Sequence, residues 1–314
     1  MTTTLTARAP EDLLAVVPVV LGFRPHESLV MLTFGAVRSF HARVDLPPPE
    51  EAVAVLPELV DALLEPCLTH SVERAAFISY SADPLLSARV GAALRRAFTG
   101  AGVGVVDVLR AHDGTWRRVP RRPGAREPVP TPFDEASHPF AAQAVFEGWV
   151  THASREELRD TLAPDPEARL RVARLQEAAP QVARSEDAAW LGALVARYAS
   201  ARGEPTDAEA ARALRAGVHV EVRDAALEAV PPAAARDHAE VWASLLRRAP
   251  DPQVPEAAAV TAFCAWQAGH GALAWCALDR CFAVDPAHRL GRCLAECLTR
   301  AVPPTAWAEA ADLA

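Results

Sequence analysis

A short polar corner between two apolar runs is the strongest candidate site in this sequence. The first run ends at Gly22 and the second begins at Leu29. A strand that follows carries two opposite charges at alternate positions, which places both on one strand face. The candidate ligand or partner site therefore contains six residues: Arg24, His26, Glu27, Ser28, Arg43 and Asp45. The charged pair on the strand could bind a ligand, or it could be a structural ion pair that covers a hairpin.

Nucleophilic catalysis has three candidate hydroxyls, in Ser28 near His26 and in Ser79 and Ser81 at the end of a predicted strand. The chain has no Gly-x-Ser-x-Gly elbow and no glycine-rich dinucleotide fingerprint. It also has no lysine, which removes Schiff-base catalysis, pyridoxal phosphate attachment and the lysine of a phosphate-binding P-loop. The residues match no reaction signature and imply no cofactor, and whether the protein is an enzyme stays open.

An arginine- and proline-rich segment follows Trp116. Its four leading cations are Arg117, Arg118, Arg121 and Arg122, and prolines interrupt it as far as Pro132. Because proline cannot donate a ladder hydrogen bond, we expect an exposed loop or a domain boundary over 117–133, with the sheet lying wholly before it. The arginines could bind phosphate, nucleic acid or an acidic partner, or they could be solvated in a linker with nothing bound.

Five of the six cysteines lie near the C-terminal end of the chain: Cys264, Cys276, Cys281, Cys293 and Cys297. The sixth is Cys67. Cys293 and Cys297 share a helix face, which would suit zinc or redox chemistry. No Cys-x-x-Cys pair is present, and cysteine is common as a small buried residue. The pattern favours core packing and predicts no metal site.

Length and composition indicate a globular protein with more than one domain. The chain has 314 residues, 51% of them hydrophobic and 23% charged, with a formal net charge of −8. The negative charge argues against nucleic acid as the default partner. All the basic charge besides histidine is arginine and there is no asparagine, which is typical of a very GC-rich bacterial genome.

Nothing in the sequence predicts a membrane segment. The longest early apolar run, Leu13 to Phe23, is about half the roughly 20 residues that a spanning helix needs. Acidic residues precede it, where a signal peptide would carry positive charge. We expect a cytoplasmic protein with reduced cysteines, whose partner is another protein.

The first part of the chain predicts an α/β domain with a mixed sheet and flanking helices over 1–133. Predicted helices cover 10–22, 50–65 and 84–98, and predicted strands cover 28–34, 37–46, 75–79 and 103–109, with a short strand closed by Trp116. Pro18 leaves an extended alternative open for 16–21. The strand ends after Ser81 and around Asp107 should meet at one sheet edge, where ligands of such sheets tend to bind.

The remainder, 134–314, predicts an all-helical domain. Capping-box patterns mark helix starts after Ser154 and Thr206, and helical segments cover 165–180, 186–201, 207–229 and 236–248. Near the end, small residues and a terminal proline are spaced as in a tetratricopeptide helix pair: Gly269, Ala274, Cys281 and Pro286, with Trp266 and Phe282 to fill its packed face. One such unit cannot bury its face alone, so a full repeat array is not expected.

Four stretches together resemble the actinobacterial domain-of-unknown-function family 4192. They are 21–30 (Leu-Gly-Phe-Arg-Pro-His-Glu-Ser-Leu-Val), 42–47 (Ala-Arg-Val-Asp-Leu-Pro), 223–227 (Arg-Asp-Ala-Ala-Leu) and the run from 265 to 286. The resemblance covers nearly the whole chain. It implies a cytosolic protein of a high-GC bacterium and supplies no reaction or catalytic residue. Our leading hypothesis is a non-enzymatic protein-interaction or adaptor module, and the alternative is an enzyme or a small-ligand or nucleotide sensor at the polar corner.

Overall fold

We describe the fold from a computed structural model, in which residues 8–36, 40–122, 125–178 and 184–307 are described. The chain divides into two compact units, Met1–Ser154 and Arg155–Ala314. The first unit contains a mixed six-stranded sheet, and the second is built from helices.

The described part of the first unit has four α-helices and six strands, with strand order β2-β1-β3-β4-β5-β6. The pair β3 and β4 is parallel and the other neighbours are antiparallel. The helices are α1 (Pro10–Leu21), α2 (Ala52–Thr69), α3 (Pro84–Gly100) and α4 (Pro139–Phe146). The strands are β1 (Ser28–Phe34), β2 (His41–Asp45), β3 (Arg74–Tyr80), β4 (Gly104–His112), β5 (Thr115–Arg118) and β6 (Thr131–Pro132).

Both faces of the central strands are buried. In β1, Leu29 and Met31 join the core formed with α2 and α3, while Val30 and Leu32 on the opposite face are also inaccessible to solvent. This explains why β1 is a continuous apolar run without alternation. The polar corner before β1 is therefore attached to a strand that is buried on both faces.

The opening segment is a helix, so the extended alternative for 16–21 is wrong. Pro10 occupies the first helical turn, Asp12 caps the helix start, and Gly22 ends the helix with φ 76°. The Gly22 N–H donates to the carbonyl of Pro18 at 2.9 Å. Pro18 is accommodated within the last turn, and the left-handed glycine turns the chain toward the corner.

Two expectations about the sheet are corrected. β4 continues to His112, so Asp107 lies in the middle of this strand and not at its carboxyl end. The sheet also extends into the arginine- and proline-rich segment, because β5 ends at Arg118 and β6 pairs with β5 through Thr131 and Pro132. An edge strand tolerates proline, since only one of its sides needs ladder hydrogen bonds. The first three residues of the strand predicted over 37–46 lie outside the described residues, and its described part forms β2 from His41.

The division between the two units falls after Ser154, whereas the composition pattern places a boundary after Phe133. The difference arises because α4 packs on α1, and His138 Nε2 lies 3.1 Å from an oxygen of Asp12. The backbone of His152 also bonds to the first unit, accepting from Arg24 N at 3.0 Å and donating to Gly22 O at 2.9 Å. Residues 134–154 thus belong with the sheet.

Nine helices make up the described part of the second unit. They are α5 (Arg155–Asp160), α6 (Pro166–Ala178), α7 (Arg184–Ala201), α8 (Asp207–Gly217), α9 (Val220–Glu228), α10 (Ala235–Arg248), α11 (Val254–Gln267), α12 (Gly271–Val284) and α13 (Arg289–Thr299). The segment predicted as one helix over 207–229 is two, with a break at Val218 and His219. Almost all of α11 is buried, which makes it the central helix. No helix of the described chain is long and apolar enough to cross a membrane.

Candidate functional site

Sheet topology brings the polar corner to the edge where the parallel strands end. β3 and β4 run parallel, so Tyr80 and His112 finish at the same edge. β1 is antiparallel to β3, with Ser28 opposite Tyr80, and this places the residues just before β1 at that same edge. Ligands in α/β sheets tend to bind beyond such carboxyl ends.

Glu27 fixes the corner through hydrogen bonds of both its carbonyl and its carboxylate. Its φ is 39°, in the left-handed region that non-glycine residues seldom adopt. Its carbonyl accepts from Leu46 N at 3.0 Å, and its carboxylate accepts from Ser81 Oγ at 3.0 Å and Ala82 N at 3.3 Å. These bonds connect the corner to the chain after β2 and to the chain after β3.

Ser28, Arg43 and Asp45 form a second cluster, held together by hydrogen bonds and an ion pair. The hydroxyl of Ser28 donates to His26 O at 2.6 Å and accepts from Arg43 Nε at 2.9 Å and from a terminal guanidinium nitrogen at 2.6 Å. Arg43 also pairs with Asp45 at 2.6 Å, and its guanidinium lies 5.9 Å from the ring centre of Phe23. The two charges share a strand face as their spacing predicts. Their contacts are those of a structural cluster around a buried serine.

A pocket of about 230 Å³ opens at the edge itself, and we call it the carboxyl-edge pocket. It is lined by Leu14, Pro25, His26, Glu27, Tyr80, Ala111, His112, Asp113, Gly114, Thr115, Phe133 and Glu135. The six predicted residues are thereby separated: His26 and Glu27 line the pocket, whereas Ser28, Arg43 and Asp45 do not. Arg24 stands beside it, with Nε donating to Glu135 at 3.2 Å.

The lining of the carboxyl-edge pocket is acidic. Glu27, Asp113 and Glu135 contribute three carboxyl groups, and no arginine is among the lining residues. Burial raises the pKa of Glu135, while the neighbouring Arg24 lowers it in part and Asp134 raises it further. Burial and the charge of Glu135 also raise the pKa of Tyr80, so its phenol stays protonated.

The candidate nucleophiles are occupied by structural hydrogen bonds. Ser81 is 1% exposed, and its hydroxyl donates to Glu27 while accepting from Asp83 N at 3.2 Å. The hydroxyls of Ser79 and Ser87 are 2.9 Å apart and are buried together. Ser28, Ser79 and Ser81 therefore lie outside the pocket lining, and their geometry is that of turn and strand fixation.

The side chains of Arg117 and Arg118 lie on opposite faces of the sheet. Arg117 donates to Glu127 at 3.0 Å, and Arg118 pairs with Asp107 at 2.8 Å. Neighbouring strand residues point to opposite faces, which separates these two side chains. Arg121 and Arg122 are exposed in the connection that follows.

Sequence reasoning missed two members of this network, Arg110 and Glu127. Arg110 is 7% exposed and donates to both oxygens of Glu127, at 3.1 and 2.8 Å, and to Ser81 O at 3.3 Å. Burial would raise the pKa of Glu127, but hydrogen bonds and charge from Arg110 and Arg117 outweigh it and lower the pKa. An arginine within the apolar strand β4 is the signal that could have indicated a buried ion pair.

Most of the cysteines are buried on helices. Cys67, Cys264, Cys276 and Cys281 are buried, Cys297 is half-buried and Cys293 is exposed. Burial raises the pKa of Cys67 to about 11 and that of Cys281 to about 12, and both therefore stay as thiols at neutral pH. Within the described residues, no group of three or more His, Cys, Asp or Glu side chains is placed to hold a metal ion.

Charged residues of the two motif-bearing stretches in the second unit also fix the fold. Arg223 contacts Asp224 and Glu256, and His288 Nε2 lies 3.3 Å from the same glutamate. Arg280 donates to the carbonyls of Leu162 and Leu246. Burial lowers the pKa of Arg280 to about 10, and it remains charged at neutral pH. These contacts join helix ends and account for the residues without invoking a ligand.

Comparison with known proteins identifies one family. The family model described as a domain of unknown function (DUF4192) matches residues 10–305. No curated protein and no solved structure matches the chain.

Proposed function

The chain belongs to the DUF4192 family, and from the geometry of its first unit we propose that it is a non-enzymatic binding protein that takes a small organic cation at the carboxyl-edge pocket. The observation that carries this proposal is the acidic lining beyond the ends of two parallel strands. Three carboxyl groups surround a cavity of about 230 Å³ without an arginine in the lining. Arg24 pairs with Glu135 from beside the lining at 3.2 Å, so an amine or guanidinium would pair with the carboxyl groups of Glu27 and Asp113.

The walls favour an organic cation with a short apolar part. Leu14, Pro25 and Phe133 contribute apolar side chains to the lining, and Tyr80 contributes an aromatic ring that carries a hydroxyl. A ring face attracts a cation through its quadrupole, and carboxylates accept its hydrogen bonds. The volume lies below that of typical pockets for drug-sized ligands, which suits a small metabolite.

A non-catalytic role agrees with the burial and hydrogen bonding of the candidate serine hydroxyls. Ser81, whose hydroxyl donates to the carboxylate of Glu27, is buried, and the same hydroxyl accepts from a turn N–H. A nucleophile must reach its substrate as well as its base. The pocket offers charge, hydrogen-bond acceptors and shape, which are the requirements of binding.

The direct test measures binding of two cationic probes, agmatine and putrescine, by calorimetry at pH 7.5. Glutarate, of similar size and opposite charge, is the matched control ligand. We expect saturable binding of the cations, weakened about tenfold or more in Glu135→Gln because a charge-assisted contact is lost. Asp45→Asn removes an exposed carboxylate outside the pocket and should change the affinity less than about twofold. Equal binding of glutarate, or equal losses in both variants, would contradict the proposal.

The second candidate function is that of a protein-interaction or adaptor module. Val145, Phe146 and Val150 are 74%, 86% and 63% exposed and lie close together in sequence at and after the end of α4. Clusters of exposed large apolar side chains mark interaction surfaces. The helix pair α11 and α12, with Gly269 at φ 74° in its turn, supports a tetratricopeptide-like unit as a further element of that role.

If the protein is an adaptor, a protein that co-purifies with the wild type from the native host should no longer co-purify with Phe146→Asp. Leu85→Asp is the matched control, because Leu85 is 67% exposed in the same unit but distant in sequence. A partner retained equally by both variants would exclude this surface. We further propose that the protein is cytosolic and comes from a high-GC actinobacterium, a proposal supported by a sequence whose basic residues other than histidine are all arginine.

A further inference from the structure

A second cavity of the first unit is basic, in contrast to the carboxyl-edge pocket. It has a volume of about 640 Å³ and is lined by arginines from three parts of the fold: Arg95 of α3, Arg118 of β5, and Arg121 and Arg126 of the connection between β5 and β6. Asp107 of β4 contributes the carboxylate of the lining. Four positive charges thus converge around one negative charge in a protein of net charge −8. We call this cavity the basic groove.

The guanidinium groups of the basic groove are incompletely used within the fold. Arg118 pairs with Asp107 at 2.8 Å, and the other oxygen of Asp107 accepts from Val108 N at 3.0 Å. Arg95 donates through one nitrogen to Val119 O at 2.8 Å. For Arg95, Arg121 and Arg126, no ion pair is present among the described residues. Each guanidinium has five N–H donors, so most of the donors remain available.

Arg95 and Arg121 repel each other within the groove. Burial lowers the pKa of Arg95, the charge of Arg121 lowers it further, and Asp107 acts in the opposite direction. The fold therefore holds like charges near one another with incomplete compensation. An anion bound between them would relieve this repulsion.

The wall that carries Arg126 is anchored by the next residue. Glu127 is held by buried Arg110 at 2.8 Å and by Arg117 at 3.0 Å on the opposite side of the strand from Arg118. This ion-pair network fixes the returning chain beside the groove. Because this network holds the backbone next to Arg126, less of that backbone has to be ordered when a ligand binds.

Size, charge and wall chemistry together identify the class of ligand. Arginine forks match phosphate oxygens through paired N–H donors, and the excess positive charge suits a ligand with more than one phosphate charge. Val106, Pro120 and Pro128 add apolar surface beside the cations. The volume lies within the range of small-molecule sites. We propose that the basic groove binds a small molecule that joins a polyphosphate to an apolar ring system, as a nucleoside di- or triphosphate does.

This site is independent of the organic-cation proposal, since the two pockets share no lining residue. The charge of each pocket excludes the ligand class of the other. A nucleic acid is the competing polyanion, and the overall charge of −8 opposes its approach at long range.

The experiment measures binding of ADP, ATP and pyrophosphate to the full chain by calorimetry at low salt, with adenosine as the uncharged control. We expect ADP and ATP to bind with affinities that fall as ionic strength rises. Pyrophosphate should bind more weakly because it lacks the ring, and adenosine should bind weakly or not at all. A protein that binds none of the three anions would overturn the proposal.

Matched variants locate the site. Arg121→Ala and Arg126→Ala each remove an exposed cation of the lining, and each should weaken ATP binding about tenfold or more. Arg122→Ala removes the same charge from an adjacent exposed residue outside the lining and should change ATP affinity less than about threefold. Melting temperatures measured alongside must stay unchanged, which shows that each variant is folded. If Arg121→Ala and Arg122→Ala weakened ATP binding equally, the loss would reflect the net charge of the protein and not the groove, and the proposal would be overturned.

Competition with duplex DNA shows whether the groove binds a small phosphorylated molecule or a nucleic acid. Our proposal predicts that a short duplex fails to displace ATP at equal phosphate concentration. Displacement by the duplex, with the same dependence on Arg121 and Arg126, would assign the groove to nucleic acid instead.

Discussion

At the scale of single residues, neighbouring side chains of the polar corner have different roles: one lines a pocket and the other supports the fold. Glu27 and Ser28 are adjacent in sequence, yet one lines the carboxyl-edge pocket and the other is buried against Arg43. The left-handed φ of Glu27 turns the chain between these two environments. Structural support and the candidate binding surface are therefore separable by mutation.

Arg43→Ala and Asp45→Ala test this separation. Loss of Arg43 leaves the buried Ser28 hydroxyl without its cationic donors, and we expect a cost of about 1–3 kcal/mol in the free energy of unfolding. Asp45 is 79% exposed in its pair with Arg43, so its loss should cost less than about 1 kcal/mol. Urea denaturation measures both values. Cation binding should survive in both variants, and a folded Arg43→Ala protein that no longer binds agmatine would contradict the division of roles.

At the scale of elements, the sequence predicted those features that local chemistry determines. The capping box at Thr206 and Glu209, the glycine end of α1 and the apolar strands β1 and β3 all follow from residue type and spacing, and the structure has them. The carboxyl-edge pocket could not be predicted, because it depends on the register that sets Ser28 opposite Tyr80 and on a chain return through Phe133. Long-range partners such as Arg110 and Glu127 likewise leave little local signal.

The start of α8 gives a pH-dependent prediction. Burial would raise the pKa of Glu209, but hydrogen bonds from Thr206, Tyr198 and Arg197 outweigh it and lower the pKa to about 2. A carboxyl with a lowered folded pKa stabilises the protein above its unfolded value, near 4.5, and this contribution is lost as pH falls toward 2. Glu209→Gln should therefore cost about 1 kcal/mol at pH 6, a usual value for a cap, and progressively less below pH 4.5.

Urea denaturation across that pH range measures the difference between the two proteins. Glu204→Gln is the control, since Glu204 belongs to an exposed pair with Arg247 and its loss should cost less than about 1 kcal/mol. A difference between wild type and Glu209→Gln that stays constant from pH 6 to pH 2 would contradict the assignment.

At the scale of the whole molecule, the chain combines a mixed-sheet unit with a helical unit. Composition indicated two domains, but the proline-rich segment that marked their boundary is a connection inside the sheet. Proline content reports where ladder bonds are absent, and an edge strand satisfies this condition as well as a linker does. Two pockets of opposite charge lie within the first unit, which concentrates the proposed binding functions there.

Truncation tests where the first unit ends. A fragment of residues 1–154 retains α4, the contact between His138 and Asp12, and the backbone bonds of His152 to Gly22 and Arg24. A fragment of residues 1–133 loses them all and leaves apolar surface of α1 uncovered. We expect cooperative thermal unfolding for the longer fragment and a much lower or undetectable transition for the shorter one. Equal stability of the two fragments would place the boundary at 133.

The most direct measurement of the central claim locates the bound cation on the full chain. Agmatine is titrated into ¹⁵N-labelled protein at pH 7.5, and backbone amide shifts are followed with glutarate as the control. We predict saturable shifts concentrated at His26, Glu27, Tyr80, His112 and Glu135, and none from glutarate. We also predict that the shifts disappear as pH falls through the raised pKa of Glu135, because protonation removes its charge. Saturable shifts that map elsewhere, or no saturable shift at all, would contradict the assignment of the carboxyl-edge pocket as a cation-binding site.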